Sequence, residues 1–357
     1  AHLGLPAIAS FTSKITSRCS TSVAPSDNNF SDCSGFPEKA ITKEMNNIIT
    51  LIKETEKSIK EENSSNTKYL KRLNHNYLWA QVDFIEFVSV PRGDVKGAQY
   101  HFNIIKQKDS DLGAFIAYGE KLLGKTKIKA KDIAGGIYHY NRSINLSKNW
   151  EDSHYDLIGT LFELLIVYKK YGFDTYFEET LNSIENLIST YKDELSEDLT
   201  SLNLDVIANK AWFLAKNGDC KTAIDLFKTL DAEALKNIEL NTDYNEAAAD
   251  LYFICGAYEE SLKYAQVFYN TDKLLENKND KNIYFANYYL KTNNIKKATY
   301  HFNLIKNEKK TIENYNSNNL KFYSEYYAAI GNYKKAYQFK EKNIQKTDSL
   351  RSFKAKT

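Results

Sequence analysis

Val95-Lys96-Gly97-Ala98-Gln99-Tyr100-His101-Phe102-Asn103-Ile104-Ile105-Lys106 returns almost letter for letter as Ile295-Lys296-Lys297-Ala298-Thr299-Tyr300-His301-Phe302-Asn303-Leu304-Ile305-Lys306. A looser copy, Gly136-Ile137-Tyr138-His139-Tyr140-Asn141, starts 38 residues after Ala98. Self-similarity at such a spacing marks an array of repeated units, each packing on its neighbours. The fold question is therefore what one unit looks like.

Four later stretches give the grammar. Asn217-Gly218-Asp219-Cys220 precedes Ala223 and Phe227, and Cys255-Gly256-Ala257-Tyr258 precedes Ser261 and Ala265. Asn293-Asn294-Ile295 precedes Ala298 and Phe302, and Ile330-Gly331-Asn332-Tyr333 precedes Ala336. The small residues step by 38, 37 and 38. Gly or Asn can take the left-handed conformation that ends a first helix, A. The small residue on the second helix, B, lets two helices approach to about 8–10 Å. Upstream, Tyr77, Leu78, Val82, Ile85 and Phe87 line an A helix, Pro91-Arg92-Gly93-Asp94 turns the chain, and B runs from Val95 to Lys106.

This pattern resembles the tetratricopeptide repeat. The features that carry the likeness are a small residue in helix A (Ala211, Ala249, Ala286), an aromatic three later (Tyr252, Tyr289), and then Gly-x-Tyr-x-x-Ala. The likeness covers residues 70–345 and is weakest between Asp109 and Ser201, where Gly172 with Phe173 and Phe177 marks one more turn. The expected fold is an all-α solenoid of about six or seven helical hairpins forming a right-handed superhelix. Residues 1–36 read as a polar leader, 37–69 as an N-terminal helix, and 337–357 as an extended or capping helix. The tail Asp348-Ser349-Leu350 is similar to the junction in tetratricopeptide sensors of Bacteroidota, which implies a histidine kinase or DNA-binding output in the parent protein.

Composition agrees. A hydrophobic fraction of 42% supports a core, while few Gly (14) and Pro (4) argue against a turn-rich all-β fold. Net charge of +2 gives no bulk attraction to nucleic acid, and no run of 18 apolar residues offers a membrane span. Leu161–Tyr168 is long enough only for a buried helix. Cys220 and Cys255 fall inside repeats and read as small buried hydrophobes. Cys19 and Cys33 sit in the polar leader and can pair in an oxidising compartment. With a chain that starts at Ala1 rather than Met, as if an upstream segment had been removed, they point to a periplasmic setting, the cytoplasm being the alternative.

Catalytic motifs do not emerge. The repeated Tyr-His pair invites a metal reading, but successive units separate the histidines, which are expected on the outer surface or between units. Ala134-Gly135-Gly136 follows no strand, so it reads as helix packing rather than a dinucleotide loop. No Gly-x-Ser-x-Gly, His-Glu-x-x-His or phosphate loop occurs. We therefore expect no enzyme, no cofactor and no metal.

A repeat array offers surface instead. Counting back along helix A from each turn places Asp83 and Phe87, Asn209 and Trp212, Glu246 and Asp250, Tyr284 and Asn287, and Lys321 and Glu325 on its inward face. Asn can pair a peptide backbone and rings can take its side chains, so the expected partner is a protein or peptide held in that groove. The resemblance also implies a two-carboxylate clamp, but the places for its Lys and Asn hold Ala208 and Trp212, or Glu246 and Asp250. A chaperone's C-terminal carboxylate is thus not the expected ligand. A sensor or scaffold is the leading function. A pheromone-type regulator whose pitch changes on binding is the alternative, an enzyme with unrecognised sites comes behind both, and a homodimer is left open.

Overall fold

The computed structural model describes residues 67–108, 113–148, 154–196, 198–230, 238–271, 278–305 and 317–354, with helical positions at Asn47, Thr50, Lys53, Glu54 and Lys57. The polar leader with Cys19 and Cys33, and most of the helix expected from Pro37, lie outside the described residues. Among the described residues every regular element is helical, as the repeat reading requires. The chain divides into two units, Ala1–Leu195 and Ser196–Thr357.

In the first unit α1 (Thr67–Phe84) runs through a π-helical turn, Ile85–Ser89, and a helical turn, Val90–Arg92. Next come α2 (Val95–Lys108), α3 (Ala114–Lys129), α4 (Ile133–Ser147), α5 (His154–Tyr171) and α6 (Asp174–Thr190). They pair as α1/α2, α3/α4 and α5/α6, and each hairpin stacks on the next through α2/α3 and α4/α5. Most of the apolar run in α5 is buried, with Leu161 at 8% exposure and Leu165 at 0%, while Phe162 and Ile166 are half-buried.

In the second unit the helices are α7 (Leu199–Lys216), α8 (Cys220–Phe227), α9 (Ile238–Ile254), α10 (Tyr258–Thr271), α11 (Lys278–Lys291), α12 (Ile295–Leu304), α13 (Ser317–Ala329) and α14 (Tyr333–Lys354). These form the hairpins α7/α8, α9/α10, α11/α12 and α13/α14, with α7/α9 and α11/α13 among the stacking contacts.

The turns explain the spacing. At each, one residue adopts positive φ: Gly93, Lys131, Gly172, Gly218, Gly256, Asn293 or Gly331. In five of these turns the next residue caps helix B, its side chain accepting the backbone N–H three positions on. Asp94 takes Gly97 (3.0 Å), Asp132 takes Gly135 (2.9 Å), and Asp219, Asn294 and Asn332 take Thr222, Lys297 and Lys335 at 3.2 Å. The small residues then close the hairpins: Ala98, Ala223, Ser261 and Ala298 are wholly buried. Gly136 lies where a Cβ would meet Ile128 Cδ1 at 2.4 Å, so helix packing does account for Ala134-Gly135-Gly136.

Two expectations are corrected. The histidines of the Tyr-His motif are not on the outer surface. Each bonds from helix B to helix A of its own hairpin: His101 Nδ1 to Gln81 Oε1 at 2.7 Å, His139 Nδ1 to Glu120 Oε2 at 2.5 Å, and His301 Nδ1 to Asn282 Oδ1 at 3.2 Å. The reason is that the residue before the Phe or Tyr of the core faces the facing A helix, where the polar atom needs a partner. Nor are Cys220 and Cys255 separate small hydrophobes. They are bonded to each other, with Cα atoms 5.5 Å apart, because the first residue of α8 and the turn after α9 occupy the same edge of adjacent hairpins.

Candidate functional site on the A-helix faces

In the second unit the sequence-derived positions fall on α7, α9, α11 and α13, and several meet. Asp250 of α9 lies close enough to raise the pKa of the Tyr284 phenol, although burial is the larger cause of that rise. Ser261 donates to the Ala249 carbonyl (2.8 Å), so its oxygen is left to accept from the Tyr284 hydroxyl at 2.5 Å. The Tyr284 ring stands among Phe253, Tyr269 and Phe285, with centroids 5.8, 5.6 and 5.7 Å away.

Tyr284, Asn287 and Lys291 follow at i, i+3 and i+7 along α11, so they share a face. Lys291 reaches Glu325 of α13 at 2.8 Å. Between Tyr284 and this bridge sits Asn287, whose Oδ1 is buried and, among the described residues, has no hydrogen-bond partner. Asn209 turns its amide back to the Asp205 carbonyl (2.8 Å), and Trp212 lies under the Lys216 ammonium at 5.2 Å. Glu246 and Lys321 are exposed on α9 and α13.

Asp83 and Phe87 belong to the first unit, where more ionisable groups gather around Asp83 than the sequence suggested. The π turn holds i→i+5 rings and so changes which side chains share the face. It brings Glu86, not just Phe87, beside Asp83. Burial, and then the neighbouring Glu86 carboxylate, push the Asp83 carboxyl up to about 7. Glu86 is also raised by burial, partly offset by Lys125, Lys121 and a hydrogen bond from the Tyr118 hydroxyl at 3.2 Å. Lys121 Nζ lies 5.5 Å over the Tyr118 ring and 3.5 Å from where a Cβ on Gly159 would be, and burial lowers its pKa. Lys125 is bonded to Glu163 of α5 at 2.6 Å.

Sequence reasoning missed Glu86, Tyr118, Lys121, Lys125 and Glu163. Its frame failed there because the α3/α4 turn uses Lys131 at φ 70° instead of Gly or Asn. Trp79-x-x-x-Asp83-x-x-Glu86 was the available signal, an aromatic and two acids at helical spacing. A cavity of about 470 Å³ also opens between α4, α5 and α6. There His154 stacks on Tyr191 with ring centroids 3.4 Å apart, and its Nε2 lies 3.6 Å from Glu194. Among the described residues no group of three or more His, Cys, Asp or Glu is placed to hold a metal ion, and no helix is long and apolar enough to cross a membrane.

No protein-family model matches the chain, and no curated protein matches it significantly. Among solved structures, the crystal structure of a Rap protein complexed with Competence and Sporulation Factor is similar, with a TM-score of 0.51 at 14% identity. The match covers 88% of this chain and 99% of that one. At that identity the likeness is one of fold, and it supports the tetratricopeptide-like helical repeat.

Proposed function

We propose that this chain is a non-enzymatic binding module whose A-helix face in the second unit takes an extended peptide, alone or as a segment of a protein. In this reading it serves as the sensor or scaffold part of a regulatory protein. The observation that carries it is Asn287. A buried acceptor without a donor costs about 1–3 kcal/mol, and a peptide N–H that meets it when the Asn287 side chain turns into the groove removes that cost. The surroundings suit an extended chain: Tyr284 offers a ring edge, Asp250 a charge, and the Lys291–Glu325 pair two further polar groups. The structural neighbour, solved in complex with a separate factor, supports a binding role for this fold, and a regulator in which binding alters the repeat stack is the second reading.

The test is calorimetry of the full chain against peptide libraries. Asn287→Ala, and separately Trp212→Ala with Asp250→Lys, are expected to weaken the selected peptide by about tenfold or more. Unchanged affinity in both would reject the site. Turnover in a hydrolase panel would reject the non-enzymatic reading.

A further inference from the structure

Trp79 and Asp83 follow at i and i+4 along α1, and the π turn that continues it brings Glu86 beside Asp83. Trp79 is 43% exposed. Its indole N–H is already given to His75 Nε2 (3.0 Å), so what it offers to the outside is a π face rather than a donor. Phe115 and Tyr118 hold that ring edge-on, with centroids 5.3 and 6.3 Å away.

The two carboxyls farther along the helix, of which Glu86 holds the same Tyr118, have bonding capacity left over. Glu86 receives the Tyr118 hydroxyl on Oε2, and among the described residues Oε1 has no partner. Asp83 has no hydrogen bond or ion pair among the described residues, and its nearest charge is the like charge of Glu86. The wider face is short of cations. Asp83, Glu86, Asp156 and Glu163 stand against Lys121 and Lys125, and Lys125 is tied to Glu163. These four carboxyls outnumber the two lysines, so an anionic ligand would find little cation to meet it. A cation would meet lone pairs and an aromatic face, the two features that bind ammonium groups. Lys121, lying over the Tyr118 ring, is the chain's own example of that contact.

We propose that the Trp79–Asp83–Glu86 face binds a primary ammonium group carried by a ligand, with Asp83 and Glu86 Oε1 accepting its N–H bonds and the Trp79 ring covering it. The group can come from a peptide's free amino terminus or from a lysine side chain, which share this chemistry. The inference goes beyond the peptide site of the second unit and stands independently of it.

The full chain is titrated, by calorimetry and tryptophan fluorescence, with glycylglycinamide and N-acetyl-lysinamide. Their neutral counterparts, N-acetyl-glycylglycinamide and N-acetyl-norleucinamide, are run beside them. At least one amine is expected to bind about tenfold tighter than its counterpart, and which one identifies the source. Asp83→Asn and Trp79→Leu should each remove most of that difference. Equal binding of amines and neutral counterparts overturns the proposal, as does an amine affinity that Asp83→Asn and Trp79→Leu both leave intact. Should either variant fail to fold, the amine-against-neutral comparison on the natural chain still decides. Either result leaves the Asn287 test untouched.

Discussion

Asp83 and His101 show how burial sets charge in the first hairpin, and they pull stability in opposite directions. Asp83, up at about 7 through burial, takes up a proton on folding between its ordinary value and 7, so it costs stability increasingly as pH rises through that window. His101 is pushed by burial down to about 4 and stays neutral against Gln81. It costs stability as pH falls from 6.5 towards 4, because the unfolded chain then binds the proton that the folded one refuses. Asp83→Asn should therefore stabilise the protein by an amount that grows from pH 4 to 7 and levels off above, on the order of 2 kcal/mol after allowance for solvent contact. Urea unfolding at pH 4, 6 and 8 measures it. A gain that is flat across this range would mean Asp83 titrates as an ordinary surface carboxyl.

Between successive hairpins close contacts fall at glycines that sequence alone cannot rank. Gly119 of α3 faces the buried Phe102 ring, whose Cδ2 would lie 2.5 Å from an added Cβ, whereas at Gly159 of α5 the nearest atom is Lys121 Nζ at 3.5 Å. Gly119→Val should destabilise by about 2–3 kcal/mol through overpacking, while Gly159→Ala should be neutral or slightly stabilising. Thermal melts of the two variants separate these outcomes, and equal shifts would deny that α2/α3 closeness depends on Gly119. The same elements mark where sequence reading succeeded and failed. The turns at Gly93, Gly218, Gly256, Asn293 and Gly331 were legible because a left-handed residue needs Gly or Asn. Lys131 adopts the same conformation with no such residue, so the α3 face, with Tyr118 and Lys121, had no frame from which to count. The π turn defeated the count in α1 for another reason, since it changes the period itself. Asp250, Tyr284, Asn287 and Glu325 could be placed on their A helices because α9, α11 and α13 keep the regular period up to readable turns.

At the scale of the whole chain, the two units should respond differently to reductant. The bond between Cys220 and Cys255 lies wholly within Ser196–Thr357 and closes a loop with a sequence separation of 35. By loop entropy its removal costs about 4 kcal/mol. Calorimetric melts of Cys220→Ser with Cys255→Ser should show a lowered transition for the second unit and an unchanged one for the first. A melt identical to that of the natural chain would show that the bond contributes nothing to folding. The bond was invisible to spacing arguments because the cysteines sit far apart in sequence and become neighbours only when successive hairpins lie edge to edge.

That closure also sets how the molecule behaves under tension. A solenoid drawn out from its ends lengthens hairpin by hairpin, but the chain between the two sulfurs cannot be drawn straight. About 12 nm of contour stays locked inside the second unit while the bond holds.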